Sequence, residues 1–530
     1  MATHTSVELE ELETHAPSTP LRPGPADQGA QLLAARNTSA NTAAATLPKG
    51  RSAIVITQLA GINLILSFTN GVITVALPAI AAEIGLRANL LVWPTSVVSL
   101  TSGACLLVAG SIADVLGPRS INLAGCFLLA CCILACGLSR TGLELVVFRA
   151  VQGIAFALIV PSGVSIVSTA VVQGRRRNLG FGVLGLAQPL GFSLGLVLGG
   201  VFVDTVGWRT GFYASSTASF LLFVIGIWAL PPTAVALSAT AKLKKICTDI
   251  DWVGAALASC SIAMFSYVLA MLSSNIDSIR QASNPVLLGL SIMSIPGFVF
   301  WMSRQVKKGK PALIPNAMWK NAAFSSICTM VLLSYAVTNS MELYCSLFFQ
   351  EIQGTTALGA SLRLLPNLLM GTLLNLLTGM VVDKVSVRLA VLVAFILCAG
   401  APLLMAVLNP HWPYWYDTFF AQLLAPLSGD VIFTVGLLVV SGSFPDSTQA
   451  LAGAVFNTAA QIGSSIGLTT LSVISATVTK DAEHADRSSQ WPLLEGYRTN
   501  FWTLFAMMIA ACVVGGVGLR KLGKVGMKRD

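Results

Sequence analysis

The chain has 530 residues, 55% of them hydrophobic and 10% charged, with a mean hydropathy of +0.76 and a formal net charge of +9. Soluble globular proteins carry about 25% charged residues, so this composition excludes a water-soluble chain of this size and indicates a membrane protein. The positive charge does not indicate nucleic acid, because the basic residues lie in short clusters between apolar runs, where they act as orientation signals.

Residues 1–52 are rich in Ala, Thr, Ser and Pro, with an acidic cluster at Glu8, Glu10, Glu11 and Glu13. They hold no apolar core of signal-peptide type and are expected to form a disordered cytoplasmic tail. From residue 53 the chain becomes a series of apolar runs near the ~20 residues that a spanning helix needs. Hydropathy predicts spans at roughly 54–80, 90–113, 120–138, 143–170, 179–203, 209–230, 253–273, 284–303, 323–348, 358–382, 389–408, 418–442, 450–477 and 500–519. Of the eleven cysteines, all but Cys247 fall inside these runs, where they behave as small hydrophobes.

An even count places both termini on one side, and the loops should then alternate between basic and basic-poor. They do. One side collects Arg119, Arg175–Arg176–Arg177, the lysines 242, 244 and 245, the cluster from Arg304 to Lys320, Lys384 and Arg388. The other holds isolated Arg87, Arg140, Arg209 and Arg280, with Lys480, Arg487 and Arg498 in the last loop. The excess is roughly two to one, which predicts cytoplasmic termini.

The turn after the second span reads Gly110-Ser111-Ile112-Ala113-Asp114-Val115-Leu116-Gly117-Pro118-Arg119, and its Gly, Asp and Arg recur at the same spacing as Gly379, Asp383 and Arg388 after the tenth. A matched pair at equivalent places predicts a duplicated architecture. The organisation is then an N-terminal six-helix half at 53–231, a linker with two extra helices at 232–305, a C-terminal six-helix half at 306–520 and a tail at 521–530.

Several polar residues interrupt apolar runs. Arg149 is costly in hydrocarbon unless it faces a polar cavity or snorkels to an interface, and Gln152, three residues on, shares its helix face. Gly191, Gly195 and Gly199 flatten one face of the fifth span for close helix packing. Asp430 lies in the middle of span twelve beside Pro426 and Gly429. It is either a structural acid in a broken helix or a group that loads a proton or binds cargo, since protonation removes the cost of a charge in the membrane. Glu342 lies in span nine and is placed towards an outer vestibule. Arg363 lies near the start of span ten, at the interface. Asp114 and Arg119 read either as a surface ion pair ending a helix or as part of a gate.

These motifs resemble the major facilitator superfamily, and within it the fourteen-helix drug:proton antiporter group, fungal branch. Gly110 to Arg119 matches the loop signature Gly-x-x-x-Asp-x-x-Gly-x-Arg, and Arg149 to Gly153 matches Arg-x-x-Gln-Gly. The fifth span, from Gly182 through Pro189 to Gly200, resembles the antiporter signature, although the family's Gly-Pro stands here as Gln188-Pro189 and its Gly-Gly as Gly191-Phe192. Gly359 to Pro366 and Asn457 to Gly467 are similar to the same group. The resemblance implies an all-α membrane fold and a gate built from Gly110, Asp114, Gly117, Arg119, Asp383 and Arg388. It also implies a part in proton transfer for Arg149. Many members carry Asp seven residues before the Ala76-Leu77-Pro78 segment, but here the residue is Thr69, followed by Asn70. Coupling must then rest on Asp430, with Arg149, Gln152 and Glu342 as the other candidates.

The expected function is proton-coupled efflux of small amphipathic molecules across the plasma membrane or an internal one, by a monomer without cofactors. The alternatives are an importer or facilitator of a small polar solute or ion and, more remotely, a non-transporting receptor. No nucleophile–base pair or metal-ligand spacing suggests an enzyme.

Overall fold

The structure is a computed structural model. It describes residues 48–520, apart from 87–89, 172–174, 232–247, 249, 275–280, 282, 311–312, 315, 382–385, 445 and 484–489. Among the described residues there are no strands, and besides a short 3-10 turn at Asn316–Lys320 there are fourteen principal helices. They are α1 (Lys49–Ile84), α2 (Trp93–Leu116), α3 (Pro118–Leu138), α4 (Gly142–Ala170), α5 (Arg175–Thr205), α6 (Arg209–Ala229), α7 (Trp252–Ser274), α8 (Ser283–Lys307), α9 (Ala322–Leu347, continued by a wide turn at Phe348–Ile352), α10 (Ala357–Val381), α11 (Val387–Val407), α12 (broken into Thr418–Leu424 and Leu427–Ser443), α13 (Asp446–Glu483) and α14 (Trp491–Gly518). Thirteen are long and apolar enough to cross a membrane; the fourteenth, α7, contributes the shorter apolar stretch Trp252–Phe265.

The helix ends follow local chemistry. Gly117, at φ +94°, lets the chain leave α2 and enter α3 within one residue, and Pro118 then takes the first helical position, where its missing N–H costs nothing. Thr141 caps α4 by accepting from the Glu144 amide, and Asn321 caps α9 through the amides of Ala323 and Phe324. The α12 span breaks beside Pro426, which lacks the N–H needed to continue the helix.

Helices α1–α6 and α9–α14 pack in matching patterns. The pair α1–α5 corresponds to α9–α13, α2–α4 to α10–α12, and α3–α6 to α11–α14. The α1–α5 seam is a backbone contact: a Cβ on Gly191 would lie 2.2 Å from the Leu64 carbonyl oxygen, and one on Gly195 2.1 Å from that of Phe68. The α9–α13 seam repeats this with Gly463, where a Cβ would lie 2.0 Å from the Leu332 carbonyl oxygen, and with Gly467 against Ala336. The two sets meet along α2–α13 and α5–α10, and the pair α7–α8 sits outside them, with α7 against α2 and α13. Ser261 and Ser291 join α7 to α8 reciprocally, each hydroxyl donating to the other's carbonyl at 2.9 Å.

Candidate functional site

The polar centre of the first helix set is built around Arg149, whose side chain is fully buried. Its Nε donates to the Pro94 carbonyl at 2.8 Å, one terminal nitrogen to Gln152 Oε1 at 2.9 Å and the other to Asn70 Oδ1 at 2.7 Å. Gln152 Nε2 donates to the Thr69 hydroxyl at 2.9 Å, and that hydroxyl donates to the Leu66 carbonyl. Arg149 therefore does not snorkel. It joins α1, α2 and α4 through neutral oxygens, and among the described residues no carboxylate pairs with it. Gly153, one residue after Gln152, lets α2 approach, since a Cβ there would lie 2.5 Å from the Val98 carbonyl oxygen.

The second set holds the candidate coupling acids, Glu342 and Asp430. Glu342 is half-buried and projects into the bundle within electrostatic reach of Asp430, and Tyr335, one heptad earlier on the same face of α9, is within reach of both. Asp430 is in the first turn of the second α12 segment, so the span is interrupted before it rather than running helical through it. Its carboxylate lies against Gly371 of α10, where a Cβ would come 2.6 Å from Oδ2. Neighbouring hydroxyls tie this region together: Ser334 donates to Ser428 at 2.8 Å, and Asn339 on α9 donates to Ser464 on α13 at 3.0 Å.

The two sets close at the end of the bundle remote from Lys49. Ser346 donates to the Thr74 carbonyl at 3.3 Å and Gln350 to that of Val75 at 3.2 Å, joining α9 to α1. Ser361 donates to the Leu196 carbonyl at 2.7 Å, and the Leu358 amide donates to Asp204 at 3.0 Å, joining α10 to α5. Gly200 permits that approach, since a Cβ there would lie 2.8 Å from Leu358 Cα. Nearer mid-bundle, the Ser102 hydroxyl donates to Gln461 Oε1 at 3.3 Å across α2–α13.

Of the turn residues, Gly110 faces Pro161 at a Cβ distance of 3.8 Å. Arg119 donates at 2.7 Å to the Ile227 carbonyl near the C-terminal end of α6, where a cation meets the negative end of the helix dipole. Arg388 is exposed in the first turn of α11. Asp383 and the side chain of Asp114 lie outside the described residues. On α5, Gly191, Gly195 and Gly199 face α1, while Gln188 and Pro189 are half-buried. Sequence reasoning noted Thr69 and Asn70 only as departures, and the structure places both directly on the Arg149–Gln152 pair. It also passed over Ser346, Gln350 and Ser361, whose partners lie far away in sequence. A sequence signal existed for the α13 seam in the four-residue spacing of Gly463 and Gly467.

The comparisons agree with this architecture. The family signature described as Major Facilitator Superfamily matches residues 59–468. The chain belongs to that superfamily. Among curated superfamily relatives, it is 36% identical to MFS-type transporter 1 of Pyricularia oryzae, over 97% of this chain and 90% of that protein. It is 24% identical to the aminotriazole resistance protein of Saccharomyces cerevisiae, over 82% and 77% of the two chains. It is also 25% identical to the low affinity ammonium transporter of the same yeast, over 82% and 80%. A bacterial homolog of the human lysosomal transporter Spinster, solved inward-facing and unoccupied, shares the fold at TM-score 0.63 and 13% identity, covering 90% of this chain and 98% of that one. Members of this superfamily are transporters, not enzymes, so the chain is a multi-pass membrane transporter for a small-molecule substrate.

Proposed function

We propose that the chain couples proton movement to the export of small amphipathic molecules by alternating access. The observation that carries this reading is the pair of membrane-embedded carboxylates, Glu342 and Asp430, each within electrostatic reach of the other inside the second helix set. Two like charges so placed cannot both be held cheaply in a low-dielectric region, so the pair takes up a proton from one side and releases it to the other as access alternates. Arg149, held on α1, α2 and α4 by neutral oxygens, fixes the opposing helix set as one polar unit. The aminotriazole resistance protein among the relatives supports efflux as the direction.

A second reading, a facilitator or importer of a small polar solute or ion, is favoured by Thr69 and Asn70, which stand mid-helix where many members of the family carry an acid, and by the ammonium transporter among the relatives. Asp430→Asn separates the two. It keeps shape and hydrogen bonding but cannot titrate, so uphill, gradient-dependent cargo movement should be lost while downhill exchange continues. Uphill transport with unchanged dependence on external pH would leave Asp430 structural and favour the facilitator.

The protein is further proposed to act as a monomer in the plasma membrane, with halves at 53–231 and 306–520 and the α7–α8 linker between them. Both termini are assigned to the cytoplasm. Epitope tags at either terminus and within 306–310 should be protected in intact cells and one near 484 should be labelled; an externally labelled 306–310 tag would overturn this topology. Chemical crosslinking in native membranes tests the monomer.

A further inference from the structure

A cavity of about 530 Å³ opens among the end of α9, the start of α10, the 408–417 connection and the first turn of α14. It lies apart from both polar centres described above. Its aromatic walls come from Trp412, Tyr414 and Trp491, its guanidinium is that of Arg363, and among the described residues no acidic side chain lines it. An interfacial aromatic belt accounts for the neighbouring Trp415 and Tyr416, which are exposed and do not line the cavity. It does not account for the way Arg363 is held.

The Arg363 guanidinium lies 5.5 Å from the Phe349 ring and 5.9 Å from that of Tyr414. One terminal nitrogen donates to Gln353 Oε1, and Gln353 in turn donates to the Pro410 carbonyl at 3.2 Å. The Tyr414 hydroxyl donates to the Arg363 carbonyl at 2.6 Å. Burial pushes that hydroxyl up to about 12, so it stays a neutral donor at physiological pH. The guanidinium is thus fixed by two rings and a clamped glutamine. A guanidinium has five N–H donors in a planar fork, and Gln353 occupies one. The others are left to whatever enters the cavity. A planar cation between aromatic walls matches a flat ring carrying a carboxylate: the ring stacks on Trp or Tyr and the carboxylate meets the fork.

We propose that this cavity is a binding site for small aromatic carboxylates, separate from the Arg149 and Glu342–Asp430 centres. The site rests on neither the direction of transport nor its coupling to protons.

The test uses the full-length chain in nanodiscs of neutral phosphatidylcholine, which supplies no competing anionic headgroup. Binding of 1-naphthoate is compared with that of 1-naphthylmethylammonium by isothermal titration. Naphthoate should bind the native chain more tightly than the cation by at least about tenfold, as a charge-assisted contact predicts. Arg363→Gln should remove that preference, Arg363→Lys should keep part of it, and Trp412→Ala should weaken naphthoate several-fold while leaving the choice of anion over cation. Trp412 is 47% exposed, so its truncation leaves the fold intact and provides a reading even if Arg363→Gln misfolds. Equal binding of the two probes to the native chain overturns the proposal. Naphthoate binding insensitive to both Trp412→Ala and any folded Arg363 variant overturns it equally, because the ligand then sits elsewhere.

Discussion

Asn70 supplies one of three acceptors for a guanidinium with no exposure to solvent, at 2.7 Å. Asn70→Ala would leave one donor of a buried guanidinium without its protein acceptor, at a cost of about 1–3 kcal/mol. We expect a clear fall in thermal stability and weaker transport, whereas Asn70→Asp should keep the contact and retain the fold. Stability of Asn70→Ala equal to the native chain, measured by thermal shift on purified protein, would mean that the network is dispensable. The importance of Arg149 was legible in the sequence because an arginine inside an apolar run demands a polar partner. The identity of those partners was not. One is the backbone carbonyl of Pro94, which leaves no trace in side-chain pattern, and Thr69 and Asn70 are ordinary residues until the α1–α4 contact brings them to the pair.

At the scale of elements, the glycine seams decide which helices move together. A Cβ on Gly195 would sit 2.1 Å from the Phe68 carbonyl oxygen, while Gly185, ten residues earlier on α5, has nothing within 4 Å. Gly195→Ala must therefore push α1 and α5 apart, an overpacking cost of about 1–3 kcal/mol. Gly185→Ala should be neutral or stabilising by roughly 0.5–1 kcal/mol, since alanine is the better helix former. Melting temperature and monodisperse yield of the two variants should diverge, and equal values would show that the seam is loosely packed. The α5 stripe and all fourteen helices were readable from periodicity and hydropathy, because long apolar runs and small-residue spacing are local signals. The break in α12 was less so: Pro426 marked it, but Asp430 read as mid-helix, although it opens a new helical segment.

In the whole molecule, α1 and α5 meet α9 and α10 at the end remote from Lys49 through Ser346, Gln350, Ser361 and Asp204. These contacts must break for that end to open. With cysteines at positions 204 and 358, on the two helix ends that the Leu358 amide and Asp204 carboxylate join, a short cleavable thiol crosslinker should arrest transport and its reductive cleavage should restore it. Full transport by the crosslinked protein, verified by mass shift after cleavage between the halves, would mean that this end does not open in the cycle. Such contacts were invisible in the sequence. They join positions up to 275 residues apart through common polar side chains and main-chain carbonyls, and only the packing of the two helix sets brings them together.

The arrangement around Arg149 also bears on how the chain is made. Asn70, Thr69 and Pro94 all precede Arg149 in the chain, Asn70 by 79 positions. At about 5–20 residues per second, Asn70 leaves the ribosome roughly 4–16 s before the arginine. Gln152 follows Arg149 by only three positions. When α4 is released sideways into lipid, the oxygens that receive its charge are already present on earlier helices, and the helix has a polar partner from the moment it arrives. Moving those acceptors to helices made later would leave the same contacts in the finished protein. It would, however, expose a nascent cation to hydrocarbon during synthesis, giving quality-control machinery time to remove the chain.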